Sequence, residues 1–303
     1  MSAVLVEEGP DRGAIWHFGQ PALEHRALAE GKAWADLSHL AVIAVSGDDR
    51  IKWLHDLTTQ HLLNLTSGEW VPVLILDAQG HIEYQFNLVD DGTTSWIVID
   101  NDYAEKLVAY LNKMKFMLRV DVRDASTEFG VLRAPGMSTD IGGPFVLVPR
   151  SDIEKVSKEF SESAIQVGTW VLDADRVAAH RPRIGIDTDF KTIPNEIGVL
   201  NSAVHMNKGC YRGQETVAKV FNLGAPPRRL VMLHLDGSAV VMPAPGTPVK
   251  NGEIEVGFLG TVARHYELGP IALALIKRNV PIDATLTVDG VTASQEIIVP
   301  GNR

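Results

Sequence analysis

The chain has 303 residues, of which 45% are apolar and 22% charged, with 26 Gly and 16 Pro. That composition predicts a folded protein of two or more lobes with many short turns, and excludes a disordered one. A single cysteine excludes intramolecular disulfides and a metal site built from this chain's cysteines alone, and a formal charge of -10 excludes a generic nucleic-acid binder, whose affinity rests on many cationic contacts to phosphate.

The opening residues, MSAVLVEEGPDRG, carry acids where a secretory leader carries cations. With one thiol, a reducing compartment is expected, and a cytoplasmic location follows. The longest apolar runs, such as Val71 to Leu76 and Ile271 to Ile276, are far shorter than the roughly 20 residues that cross a bilayer, so they are expected as buried strands and no membrane partner is expected. From Leu40, LAVIAVSG predicts a strand and DDRIKWLHDL a helix capped by Asp48. Strands are predicted over Val71 to Asp77, His81 to Val89 and Ser95 to Asp100, with Gln79-Gly80 and Asp91-Gly92 as turns. A helix capped by Asn101 or Asp102 follows, with Leu107, Tyr110, Leu111 and Met114 on one face, and then FMLRVDV as a strand. The order β-α-β-β-β-α-β predicts a ferredoxin-like lobe with an added strand over about 40–123.

A second mixed stretch runs from Glu128 to about Val220, with strands near Gly130 and Phe145, a helix after Ser151 and another around Trp170 to Ala179. LGAPPRRL then breaks the pattern, which places a boundary near Asn222. The expected domains are 1–222 and 223–303, the second a small closed β-domain built from LVMLHLD, IEVGFLGTVA, IALALI, ATLTVDG and SQEIIV.

Between Arg176 and Arg229 stand nine Lys or Arg against four Asp or Glu, a cationic region in an acidic chain. It either focuses field on an anionic ligand or forms a solvated charged face. No GxGxxG, GxxxxGK[ST], HExxH or CxxC occurs, so the usual nucleotide and metal signatures are absent. His55, His61, His180 and His205 show no metal-ligand spacing. The densest chemistry lies in Lys208-Gly209-Cys210-Tyr211-Arg212-Gly213-Gln214-Glu215-Thr216-Val217-Ala218-Lys219. Gly209 and Gly213 let the backbone turn or approach a ligand. Lys208 can favour a Cys210 thiolate, Tyr211 can stack on a flat ring, and Gln214 with Glu215 can pair with amides and amines. The competing readings are a packed structural Cys210, and Gln214 and Glu215 as the opening of a short helix.

KGCYRGQETVAK resembles the signature of the YgfZ family of folate-binding proteins, K-G-C-[FY]-x-G-Q-E followed by a small residue and a cation. RPRIGIDTDFKTIPNE resembles that family's G-x-P-x-x-G-x-D and I-P-x-E stretch, and NLGAPPRRL its G-x-x-x-R-x-L link. LAVIAVSGDDRIKWLHDLTT is similar to the start of both this family and the aminomethyltransferases (T-proteins) of the glycine cleavage system, and GFLGTVARHYELGPIALALI to the T-protein C-terminal domain. The resemblance implies an α+β fold: a T-protein-like three-lobed ring of ferredoxin-like lobes plus a C-terminal β-barrel, around a folate channel. It also implies tetrahydrofolate or a derivative as cofactor, and an accessory role in iron-sulfur cluster assembly or repair and in iron-sulfur-dependent tRNA modification. Partners are then folate and iron-sulfur enzymes or assembly proteins. It makes Lys208 and Cys210 the reactive pair, and Gly209, Tyr211, Arg212, Gly213, Gln214, Glu215 and Arg228 folate-binding residues.

Two departures stand out. LDAQGHIEYQF places Tyr84 and Gln85 where aminomethyltransferases carry two acids, and a carboxylate is needed there to orient or activate the folate nitrogen. An active aminomethyltransferase, the alternative reading, is therefore not expected. RVAAH, Arg176 to His180, stands where relatives have R-x-E-A-G, so Asp187 or Glu196 is expected to supply the pterin-binding carboxylate.

Overall fold

A computed structural model describes residues 2–137, 145–238 and 241–300. The chain forms two compact units: residues 1–74, 84–171 and 208–211 make the first, and residues 75–83, 172–207 and 212–303 the second. In chain order the first elements are β1 (Val4–Leu5), β2 (Ile15–His17), α1 (Pro21–Ala29), β3 (Ala33–Asp36), β4 (Ala41–Ser46), α2 (Arg50–Leu57), β5 (Val71–Leu76), β6 (Ile82–Asp90), β7 (Thr94–Ile99), α3 (Asn101–Met114) and β8 (Asp121–Asp124). Then come β9 (Phe129–Arg133), β10 (Val146–Pro149), α4 (Ile153–Ser161), β11 (Ile165–Gln166), α5 (Thr169–Ala178) and α6 (Gln214–Leu223). The chain ends in β12 (Arg228–Leu235), β13 (Pro248–Asn251), β14 (Ile254–His265), β15 (Gly269–Lys277), β16 (Leu286–Val288) and β17 (Val291–Ile297).

From β4 to β8 the element order is the one the alternating periodicities predict. These strands form a sheet in the order β5-β6-β7-β4-β8. β4 lies inside the sheet, between β7 and β8, and Ala41 to Val45 are all buried, so both its faces are covered. Helix α3 packs on β4 and β8, burying Ala104, Leu107 and Leu111, while Tyr110 and Met114 of the same face are half-buried. A second sheet, in the order β10-β9-β3-β11, joins β3 near the chain start to β9 in antiparallel and to β11 in parallel pairing.

Local expectations failed at three points. Asp48 does not cap α2: Asp49 stands at the cap without a side-chain capping bond, and both carboxylates grip Arg119 instead. Asp100, not Asn101 or Asp102, is the cap of α3. FMLRVDV is strand only from Asp121, and its apolar start forms an exposed turn, with Phe116 82% and Met117 97% exposed.

The tail closes as expected into a barrel, in the order β12-β15-β14-β13-β16-β17. Val231, Leu233 and Leu235 of β12 share its interior with Leu259, Ala272, Ala274, Ile276, Leu286 and Val288, the alternate inward row that a period of two dictates. The α+β class with a C-terminal β-barrel is thus the fold found. Among the described residues, no helix is long and apolar enough to cross a membrane.

Candidate functional site

The segment Lys208 to Tyr211 belongs to the first unit, and its two ends are buried while its middle is open: Lys208 and Tyr211 are buried, Gly209 and Cys210 exposed. Lys208 lies at the C-terminal end of α2. Its ammonium donates to the carbonyl of His55, to that of Thr58 at 2.6 Å and to that of Gln60 at 2.9 Å. A helix C-terminus leaves carbonyls without intrahelical partners and carries partial negative charge, so a cation placed there satisfies both. The ammonium also lies 5.4 Å from the centre of the Tyr211 ring, on its face. Burial lowers the Lys208 pKa to about 8, against the opposing charge of Asp56.

Three donors meeting three oxygens use the full capacity of an ammonium. Lys208 therefore does not hold a Cys210 thiolate directly, as the spacing suggested; it roots the segment. The exposure of Cys210 also removes the packed-core reading of that thiol. Around Lys208, burial first and the lysine's charge second lower the pKa of His55 to about 4. The imidazole is thus neutral, and its Nδ1 accepts from Leu62 N–H at 3.2 Å. The Tyr211 hydroxyl is buried, without a hydrogen-bond partner among the described residues, and burial pushes its pKa up to about 12.

Arg212 to Glu215 belong to the second unit. Gly213 precedes α6 at φ 80°, and a Cβ there would come 2.5 Å from the Asp77 carbonyl oxygen and 2.8 Å from Gly80 Cα. Only glycine meets both conditions. Gly209, by contrast, has nothing within 4 Å of where its Cβ would stand. Gln214 and Glu215 open α6, as their helical reading proposed, with Glu215 exposed at the positive end of the helix. Arg212 pairs with Glu83 at 2.9 Å on the surface.

The remaining expected residues lie in the second unit within two ion-pair networks. Asp187 is buried and accepts from Arg176 Nη1 at 2.8 Å, Arg183 N–H at 2.7 Å and Thr261 N–H at 2.6 Å. Glu196, 1% exposed, accepts from Arg228 Nε and Nη2 at 2.9 Å each and from Ile193 N–H at 3.1 Å. Arg228 also reaches Asp189, at 2.6 and 3.1 Å. Burial opposes its charge, but hydrogen bonds and attraction from Glu196 and Asp189 raise its pKa. Burial likewise pushes Asp189 up, and the bonds from Arg228 and Thr192 more than offset it. Both carboxylates expected to meet a pterin are therefore already held by arginines of this chain.

His55, Thr58, Gln60, Asp77, Asp189 and Asn195 take part here although their spacing does not single them out. Asn195 donates to the Val217 carbonyl at 3.2 Å, tying α6 down, while its own buried Oδ1 has no partner among the described residues. Tyr84 packs on Tyr110, with ring centres 5.7 Å apart, and donates to the Lys106 carbonyl, so that position holds no acid in structure as in sequence. His180 stands at φ 58°, the left-handed conformation suited to the glycine of the resembled pattern. Among the described residues, no group of three or more His, Cys, Asp or Glu is placed to hold a metal.

Comparison with known proteins bears on the whole chain. Residues 228–298 match the family model of the CAF17 C-terminal beta-barrel domain. A chloroplastic protein of Arabidopsis thaliana named as a transferase is 23% identical over 86% of this chain and 69% of its own length. The mitochondrial iron-sulfur cluster assembly factor IBA57 homolog of Mycosarcoma maydis is 24% identical over 71% of this chain and 61% of its own. The glycine cleavage system aminomethyltransferase T of Bartonella henselae superposes with a TM-score of 0.81, covering 99% of this chain and 95% of that one at 14% identity. An aminomethyltransferase-like fold with a CAF17-type C-terminal barrel is the class these matches define. Within it the chain is similar to both a named transferase and a named assembly factor.

Proposed function

We propose that this protein is a tetrahydrofolate-binding factor for iron-sulfur cluster assembly or repair, serving enzymes that modify tRNA, and not an aminomethyltransferase. The observation that carries this reading is the exposed Cys210, presented by a segment rooted at Lys208. The likeness to an assembly factor along most of the chain supports it, and so does the resemblance of KGCYRGQE to a folate-binding signature.

The residues present are chemically suited to folate. The Tyr211 hydroxyl, in the same segment as Cys210, is a buried polar atom with capacity left for a ligand such as a pterin. Gly209 leaves open space beside the thiol. Reduced folate would supply a nitrogen able to carry a one-carbon unit. This chain's part is to bind and orient it, since Tyr84 and Gln85 offer no carboxylate to move a proton at that nitrogen.

The test pairs calorimetry with a turnover assay. Heat on titration with tetrahydrofolate or 5-formyl-tetrahydrofolate, diminishing as salt rises, is expected. Absence of heat at millimolar ligand would remove the folate reading. Aminomethyl transfer at about 1 per second or faster would restore the transferase alternative.

A further inference from the structure

The barrel opens with two consecutive arginines, and the second has no counterpart to the pairing of the first. Arg229 shares the inward row of β12 with Val231, Leu233 and Leu235, and its side chain is wholly shielded, at 0% exposure. One of its three nitrogens is used: Nη2 donates to the Val280 carbonyl at 3.1 Å and to Gln295 Oε1 at 2.8 Å. Among the described residues, Nε and Nη1 have no partner. Gln295 donates in turn to the carbonyls of Pro281 at 3.0 Å and Ala284 at 2.9 Å. Arg229 and Gln295 thus hold the connection 278–284, whose Val280 belongs to the barrel core.

Burial lowers the proton affinity of this guanidinium, but an arginine stays charged at any pH where the protein folds. Among the described residues no carboxylate pairs with it, and the acid of the covering connection, Asp283, is exposed. An enclosed charge with no counter-charge, next to unbonded N–H groups, is what folded proteins avoid. Water satisfies a donor but brings no charge. The guanidinium is wholly shielded, so a counter-ion beside it has to be small, and a net charge of one is to be matched.

We infer that this end of the barrel binds a small monovalent anion, a halide or a one-carbon carboxylate, at Arg229 Nε or Nη1 beneath residues 278–284. The site is separate from the Lys208 to Glu215 stretch and does not depend on the folate reading.

Crystals of the full chain soaked in sodium bromide test it directly, beside melting curves in sodium chloride, formate and gluconate at equal ionic strength. One anomalous peak at hydrogen-bond distance from Arg229 is expected. The melting temperature should stand about 3 °C higher in chloride or formate than in gluconate, a difference absent in Arg229→Met. Bromide at surface positions alone, an adventitious ion only, would overturn the inference. So would a water as sole neighbour of Nε and Nη1, or Asp283 folded onto the guanidinium, with melting indifferent to the anion. If Arg229→Met does not fold, the peak and the anion dependence of the unaltered chain decide.

Discussion

Lys208 gives its ammonium to three neutral carbonyls in the first unit, whereas Arg228 gives its guanidinium to two carboxylates in the second. Both cations are withdrawn from water, yet their proton affinities move in opposite directions, down for Lys208 and up for Arg228. Carbonyl dipoles at a helix end stabilise a cation less than full charges do, so desolvation wins at Lys208 and loses at Arg228. A cation held by dipoles can give up its proton near neutral pH. One held by two acids is a fixed structural part.

That contrast predicts unequal costs of removal. Arg228→Ala leaves Glu196, 1% exposed, and Asp189 without their counter-charge, and stability should fall by about 3–5 kcal/mol. Lys208→Met takes charge and donors away together and leaves only carbonyls at the end of α2, a loss of about 1–3 kcal/mol. Urea unfolding of both variants under one condition checks the order, and a costlier Lys208→Met would break the comparison.

The pH dependence sharpens it. His55 drops from 6.5 to about 4 on folding, so between those values the unfolded chain binds more protons and stability falls as pH falls. The expected loss is about 3 kcal/mol, and His55→Asn, whose amide oxygen can accept from Leu62 N–H without titrating, should flatten it. Lys208, lowered from 10.5 to about 8, has the same sign in another window: stability rises with pH between about 8 and 10.5. Lys208→Met should abolish that rise. Urea midpoints at pH 4.5, 7, 8 and 10 measure both limbs.

Much of this architecture was legible in the sequence because periodicity is local. The run Ala41 to Val45 announced a strand, and Leu107 with Leu111 announced the buried face of α3. Gln214 was readable as a helix start because Gly213 supplies the left-handed residue before it. Several of the failures share one cause, partners distant in sequence. Lys208 meets carbonyls about 150 residues away, and Asp48 and Asp49 leave their helix for Arg119, some 70 residues on. Asp187 and Asp189 look alike two residues apart, yet Arg176 holds the first and Arg228 the second. The apolar start of FMLRVDV misled for a simpler reason, since exposed apolar residues carry no local mark that separates them from core.

The smallest structural effect belongs to Cys210. Its side chain is exposed and flanked by Gly209, around which there is open space, so Cys210→Ala removes a thiol and leaves the contacts of Lys208 and Tyr211 in place. Stability should change by no more than about 0.5 kcal/mol. A chemical role for the thiol predicts that the same variant loses function while its melting curve is unchanged, and that Cys210→Ser, which keeps size but not nucleophilicity, behaves alike. Complementation of a strain lacking its own homologue, scored by the activity of an iron-sulfur tRNA-modifying enzyme, separates the outcomes when read beside the melting curve. Full complementation by both variants would make Cys210 dispensable and leave Lys208 as a structural root alone. Loss of complementation at unchanged stability would place the chemistry at the one position where the segment exposes a reactive atom.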